Sequence, residues 1–359
     1  MNKKILTGIF SVFLLAVFAF PIYAQENHDS RVTGEQKETK KKFNASTFIM
    51  EHIADSHEWH ILTKKDSSTI AIYLPVILFS KEKGLDIFSS KKLAHRQVYK
   101  GYRLEEEGEL KGKIVNINEE GVADEKNLPL DFSMTKTVMG MLFAALIGLW
   151  LFISLSRSYK KTGISYPKGI QGFLEPAVLF IRDDIAIPNL GHKYEKYMPY
   201  LLSVFFFILI NNLMGLIPFP PPFGANVTGN IAVTGVLATC TFLIIQFSGN
   251  KAYWKHIFAA PGVPLWLLPV MIPVELIGII SKPGALMIRL FANITAGHII
   301  VLSLICLIFI FDSLALAPVS ILFVIFMDCL ELLVAFLQAY IFTLLSALFI
   351  SMAVAEEHH

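Results

Sequence analysis

The sequence predicts an all-α polytopic membrane protein of about five membrane-embedded helices, with a small β-rich extramembrane domain on the N-terminal side. Composition, the order of apolar runs and the placement of charge each point there. Of the 359 residues 54% are hydrophobic and 29 are Phe, with a mean hydropathy of +0.56, which is more than a soluble core needs. From Met134 onward apolar runs alternate with short polar connections, whereas residues 25–133 are mostly polar and charged. Basic residues collect on every second connection of the apolar part, as in a chain that crosses a bilayer repeatedly.

Residues 1–24 read as a secretory signal peptide. Lys3 and Lys4 form its charged head, Ile5–Phe20 its apolar stretch, and Ala24 offers a small residue for cleavage. Ile22 fits the position two residues earlier poorly, so an uncleaved anchor stands as the alternative. Either way the following segment is exported. Residues 25–42, rich in Lys, Glu, Thr and Asp, read as a disordered tether. A periplasmic β-rich domain is expected over 43–133. Thr69–Phe79, Gln97–Arg103 and Lys113–Ile117 carry the β-branched and aromatic enrichment of strands, with turns at Lys83-Gly84-Leu85-Asp86 and Glu119-Glu120-Gly121. His52, Asp55, His57, Glu58 and His60 form a dense cluster, and alternation puts Glu58 and His60 on one face of a strand with His57 on the other. Metal binding, proton buffering near a channel mouth and ordinary surface packing all remain open for it. No metal is assigned.

The membrane domain is expected over 134–359. Met134–Leu155 spans, and Arg157, Lys160, Lys161 and Lys168 follow it without an acidic neighbour. Pro199–Ile217 spans next, an uncharged loop runs from Pro218 to Asn230, and Ile231–Phe247 returns to Lys251, Lys255 and His256. The basic connections are placed in the cytoplasm, and export of the N-terminus predicts the same orientation independently. Glu175–Asp183 mixes Leu, Val and Phe with Arg and Asp, which suits a helix lying in the interface. Leu314–Ala353 is 40 residues, or ~60 Å of helix against a hydrocarbon core of ~30 Å. Gly262–Ile310 is similarly long, although Lys282-Pro283-Gly284 offers a break. Two spans there would put the C-terminus outside. A steeply tilted hairpin turning near Asp312–Pro318 is preferred, with the C-terminus in the cytoplasm. Cys240, Cys306 and Cys329 all fall in apolar runs and read as packing residues.

Arg289 is the lone Lys or Arg in the 70 residues from Pro283 to Met352. Arginine keeps its charge inside proteins, and placing it mid-membrane costs at least ~2.5–3.5 kcal/mol. Snorkelling to headgroups or a structural ion pair is the bland alternative. Asn293 lies one turn beyond Arg289, Glu275 and Lys282 precede it at steps of seven, and His298 is nine residues on, on the opposite face. In the final helix Asp328, Glu331, Ala335 and Gln338 share one face. His298 and Glu331 are the titratable groups deep enough to exchange protons, with a helix–helix hydrogen-bond network as the alternative.

Several runs resemble subunit a of F-type ATP synthases. They are Ser281-Lys282-Pro283, then Arg289-Leu290-Phe291-Ala292-Asn293-Ile294-Thr295-Ala296-Gly297-His298, and later Leu337-Gln338-Ala339-Tyr340-Ile341-Phe342. Asn211-Asn212-Leu213-Met214-Gly215-Leu216-Ile217-Pro218, Asn226-Val227-Thr228 and the ending Ala355-Glu356-Glu357-His358 resemble the same family in the same order. The resemblance implies a proton-translocating stator subunit of a rotary motor in the bacterial inner membrane. Its implied partners are the ring of c subunits, the peripheral-stalk b subunits, the remaining ATP synthase subunits, protons and the lipid bilayer. Arg289 corresponds to the arginine that faces the ring, attracts its carboxylate and separates two aqueous half-channels. His298 and Glu331 occupy positions that are exchanged in many bacterial relatives, which implies that they are neighbours on one proton path. Glu275 matches a glutamate of the opposite path, and Asn293 and Gln338 match polar positions near the arginine. Asp328 and Asn226 are candidates for a secondary polar path.

No cofactor is expected. The chain has no GxxxxGK[ST] phosphate loop, and no basic cluster resembles a nucleic-acid surface. Sodium coupling stays open, because the ring's ion site largely decides it. A secondary transporter would show inverted repeats, and Arg289 has no counterpart in the other half. An intramembrane metalloprotease would need HExxH, whereas Glu58 and His60 are wrongly spaced and external.

Overall fold

A computed structural model describes residues 44–63, 69–81, 83–105, 108, 110–118, 123–124, 127–162, 169–217, 221, 223–258, 264–311 and 316–355. The expected signal peptide and tether, and the C-terminal residues 356–359, lie outside the described residues. The chain divides into two compact units. One holds the described residues up to Met141 with Ile217–Ala225 and Val301–Ile325; the other holds Leu142–Leu216, Asn226–Ile300 and the described residues from Phe326 on.

The first unit opens with helix α1 (Ala45–Ile53), in a region where only strands and turns were expected. Its Phe48 and His52 rings, four residues apart and so neighbours on a helix face, lie 4.2 Å apart. Strands β1 (Glu58–Thr63) and β2 (Thr69–Tyr73) pair antiparallel. Pro75 then starts β3 (Pro75–Ser80), so the expected strand Thr69–Phe79 divides at Leu74. Strand β3 is central between β4 (Gly84–Ser89) and β7 (Leu130–Asp131), while β5 (Tyr102–Leu104) pairs with β6 (Ile114–Asn116). Alternation along β3 sends Val76 and Leu78 into a core shared with Phe88, Leu93, Tyr102 and Ile114.

Two expected boundaries move. Gln97–Arg103 is not one strand: Lys100 and Gly101 have φ of 53° and 73°, and Tyr99 and Tyr102 exchange both backbone bonds across them at 3.0 and 2.9 Å. Two successive positive-φ residues make a tight hairpin turn, and Gly101 supplies the conformation a β-branched residue resists. The turn expected over Lys83–Asp86 shortens, because Gly84 (φ 74°) begins β4 and Leu85 and Asp86 join the strand.

This domain is bonded to the first membrane helix, α2 (Lys136–Thr162). Met134 N donates to Pro75 O (3.0 Å), Lys136 N to Ser56 O (2.9 Å) and Thr137 N to Asp55 Oδ1 (3.1 Å). The last two contacts satisfy amide groups that a helix N-terminus leaves unpaired, and the Asp55 carboxylate suits the positive end of the helix dipole. Asp55 of the His/Asp/Glu cluster therefore acts as a helix cap. His57 is buried with Nε2 3.4 Å from Asp131 Oδ2. Burial raises the Asp131 carboxyl, but hydrogen bonds from His57 and Ser133 outweigh it and hold the group below the usual carboxylate range. His52 is exposed, and the side chain of His60 lies outside the described residues. No group of three metal-ligating side chains occurs among the described residues.

In the second unit α3 (Ile170–Phe180) passes through a π-helical segment, Ile181–Ala186, into α4 (Ile187–Leu190). Gly191, with φ 53°, breaks the path before α5 (Tyr194–Leu216). The segment expected to lie in the interface falls on α3 and the π-helical turn, where Arg182 pairs with Asp183 at 2.7 Å. Asn230 Oδ1 accepts from Ala232 N at 2.9 Å and so caps α6 (Ile231–Ser248), which is followed by the short α7 (Lys251–Phe258). The last two helices are α8 (Leu268–Ile310, 43 residues) and α9 (Ala317–Val354, 38 residues). Helix α8 runs unbroken through Pro273 and Pro283, which decides for one long helix over two. The expected turn falls between Ile310 and Ala317, where 312–315 lie outside the described residues. Among the described residues five helical stretches are long and apolar enough to cross a membrane, beginning at Lys136, Gln171, Ile231, Leu268 and Ala317. The protein is a multi-pass membrane protein. Phe205, Leu201, Ile208, Leu286, Leu290, Ala339, Phe342 and Ile350 anchor the core of this unit.

Candidate functional site

The site is built on α8 and α9, which lie antiparallel. Asn293 Nδ2 donates to Gln338 Oε1 at 3.0 Å, and His298 Nδ1 lies 3.8 Å from Glu331 Oε2, so partners descend one helix as they ascend the other. A small residue permits this approach: Gly297 of α8 lies directly against Glu331 of α9. Leu286 and Leu290 pack into the core and set the rotation of α8.

That rotation leaves Arg289 exposed, at the midpoint of the 43-residue helix. Ala285, Ile288, Ala292, Asn293 and Ala296 are exposed with it. Among the described residues no carboxylate or hydrogen-bond acceptor is paired with the guanidinium. Asn293, one turn on, is tied by its amide to Gln338, which is 2% exposed. The fixed cation thus stands beside a polar pair whose geometry is locked by packing.

His298 and Glu331 are both half-buried. At 3.8 Å they are beyond direct hydrogen-bond reach, and they form an ion pair only when the imidazole is protonated. Glu331 Oε1 is buried without a partner, and Gly297 is the reason it fits. A Cβ at 297 would come within 2.5 Å of that oxygen. A methyl group at 297 would therefore push the Glu331 carboxylate end aside.

Asp328 sits one turn before Glu331 on the same helix and is half-buried. Glu275 lies apart from the cluster: 14 residues before Arg289, it is about 21 Å away along the helix and faces His256 of α7 at 3.9 Å. Asn226 is also separate, its Oδ1 accepting from Gly229 N at 3.0 Å while its Nδ2 is buried without a partner. Sequence reasoning assigned no role to Asn212 and Thr228. Both are buried, Thr228 Oγ1 donates to Asn212 Oδ1 (2.6 Å), and Asn212 Nδ2 donates to Ala335 O (3.2 Å). This bond grips α9 between Glu331 and Gln338 and so positions both. An asparagine pair inside an apolar run was the available signal.

The family model of the ATP synthase A chain matches residues 138–351. The chain belongs to that family. Residues 48–132 match a separate domain family of unknown function. Relatives of this ATP synthase chain include ATP synthase subunit a of Chloroherpeton thalassium, 50% identical over 235 residues, 64% of this chain and 69% of the relative. ATP synthase subunit a 2 of Chlorobaculum tepidum is 50% identical over 233 residues, 63% of this chain and 64% of the relative. ATP synthase subunit a of Myxococcus xanthus is 48% identical over 238 residues, 64% and 76% of the two chains. The chain spans about two thirds of the length of the first two. As a family member it is a proton-translocating subunit of the ATP synthase membrane sector, and its partners are other subunits of that assembly.

Proposed function

We propose that this chain is the stator face against which a ring of c subunits turns, with Arg289 as the charge that couples proton passage to rotation. The single observation that carries the reading is an exposed, unpaired arginine at the middle of a membrane helix. Such a charge is tolerated only with a counter-charge, and the described residues supply none. A carboxylate on a neighbouring ring is the chemistry that fits, and Ala285, Ala292 and Ala296 would let another helix approach closely.

In this mechanism a ring carboxylate ionises on reaching Arg289, because the guanidinium stabilises its anion in a medium of low dielectric. The cation blocks direct passage, so a proton loaded from one half-channel leaves by the other only after nearly a full turn. Each charge moved through the potential contributes ~2.3 kcal/mol per 100 mV. Glu331 and His298 serve one half-channel, with Asp328 and Asn226 as secondary polar positions. Glu275 serves the other. Asn293 and Gln338 fix the surroundings of Arg289. ATP chemistry belongs to other subunits, and the peripheral-stalk b subunits hold this one still. The protein sits in a bacterial inner membrane with its N-terminal domain in the periplasm.

The facing surface is tested by disulfide formation. Ile288→Cys, next to Arg289 and 58% exposed, should cross-link to a cysteine placed beside the ring carboxylate. Val236→Cys on α6, 63% exposed, should not. Equal cross-linking at both positions, or none at Ile288, removes the ring from this face.

A further inference from the structure

The three-stranded sheet of the N-terminal domain has two apolar faces, and only one of them is buried. Val76, Leu78 and Phe88 fill the core, while the other face carries two cross-strand rows. Leu85, Phe79 and Leu130 form one row by strand register. Ile87 and Ile77 form the second, and Phe132 N extends it by donating to Ile77 O at 2.9 Å. Leu85, Ile87, Leu130 and Phe132 are each 60–66% exposed and Phe79 is 45% exposed. Contiguous exposed apolar surface of this kind marks an interaction site.

Position and charge say what it meets. Phe132 is four residues before Lys136, where the first spanning helix begins, so at most about 14 Å of chain separates them. The headgroup layer is itself roughly 5–8 Å thick. The bonds from Pro75, Ser56 and Asp55 to residues 134–137 hold the domain at that boundary. Lys83 and Lys92 lie over the rings of Tyr102 and Tyr99, and Lys100 pairs with Asp86, all beside residues of the core, so none of these charges stands among the exposed apolar rows.

We propose that this sheet face lies on the bilayer surface beside the entry of α2, with its apolar rows in the interface. An uncharged apolar face tied to the start of a spanning helix is buried most favourably at the boundary of headgroups and acyl chains. The domain would thereby hold the start of α2 in place independently of the ring-facing helices.

The test uses the full chain assembled with its partner subunits, with Cys240, Cys306 and Cys329 replaced by Ala. A bimane label is placed at Ile87→Cys or, as an exposed control, at Lys113→Cys, and the complex is put into vesicles of phosphatidylcholine and phosphatidylglycerol. A lipid carrying a shallow nitroxide should quench the Ile87 label severalfold more than the Lys113 label. Equal quenching at the two positions overturns the proposal. A label at 87 shielded from both the lipid quencher and aqueous iodide also overturns it, because residues 1–43 or another protein then cover the face.

Discussion

Arg289→Ala should abolish ATP-driven acidification of inverted vesicles while leaving the assembled complex intact on blots. The substitution is at an exposed position, so it removes no packing from the core formed by Leu286 and Leu290. Its effect falls on the proposed partner. A carboxylate stranded in the membrane without its cation costs about 3–5 kcal/mol, and each 1.4 kcal/mol is about a factor of ten. Coupled pumping should therefore drop by at least about a hundredfold. Retained pumping in the assembled variant would return Arg289 to a structural role. Arg289→Lys adds a second reading, because lysine keeps a charge but loses the planar fork and can give up its proton when buried. Partial function there and none in the alanine variant would mark charge as the first requirement and geometry as the second.

The second large effect concerns His298 and Glu331. Glu331→Gln keeps shape and hydrogen bonding but removes the exchangeable proton, so pumping should fall by about a hundredfold, as for loss of a positioned acid–base group. His298→Ala should act in the same direction. The decisive variant exchanges the two, His298→Glu with Glu331→His. With the groups 3.8 Å apart across α8 and α9, the exchange returns the same pair to the same place. Its rate should recover to within a few-fold of wild type, far above either single change. Independent, multiplying losses would mean that the two residues do not act as a unit.

Legibility followed the physics of each residue. The spans were readable because a bilayer demands long apolar runs and satisfied backbone groups, which leaves few alternatives to helix. Pro283 reads as a break in a one-dimensional string, yet α8 continues through it, as membrane helices do where packing supports the turn that proline leaves without one hydrogen bond. Lys100-Gly101 was hidden within a strand-like composition because one glycine can reverse a chain whose flanks favour extension. Helix α1 was missed in a region dominated by strand and turn signals. The histidine cluster looked like one group, whereas His52, Asp55 and His57 go to a helix face, a helix cap and a buried pair with Asp131.

Residue chemistry along the chain was enough for the membrane class, the helical spans and the isolation of Arg289 among apolar neighbours. All of these depend on the transfer of side chains from water to lipid, which is a property of local composition. Contact between elements distant in sequence was beyond it. Asn293 meeting Gln338, Gly297 making room for Glu331, and Asn212 gripping the Ala335 carbonyl all depend on how helices rotate about their axes when they pack. Rotation is set by the sum of many weak contacts across the core, and no local pattern records that sum.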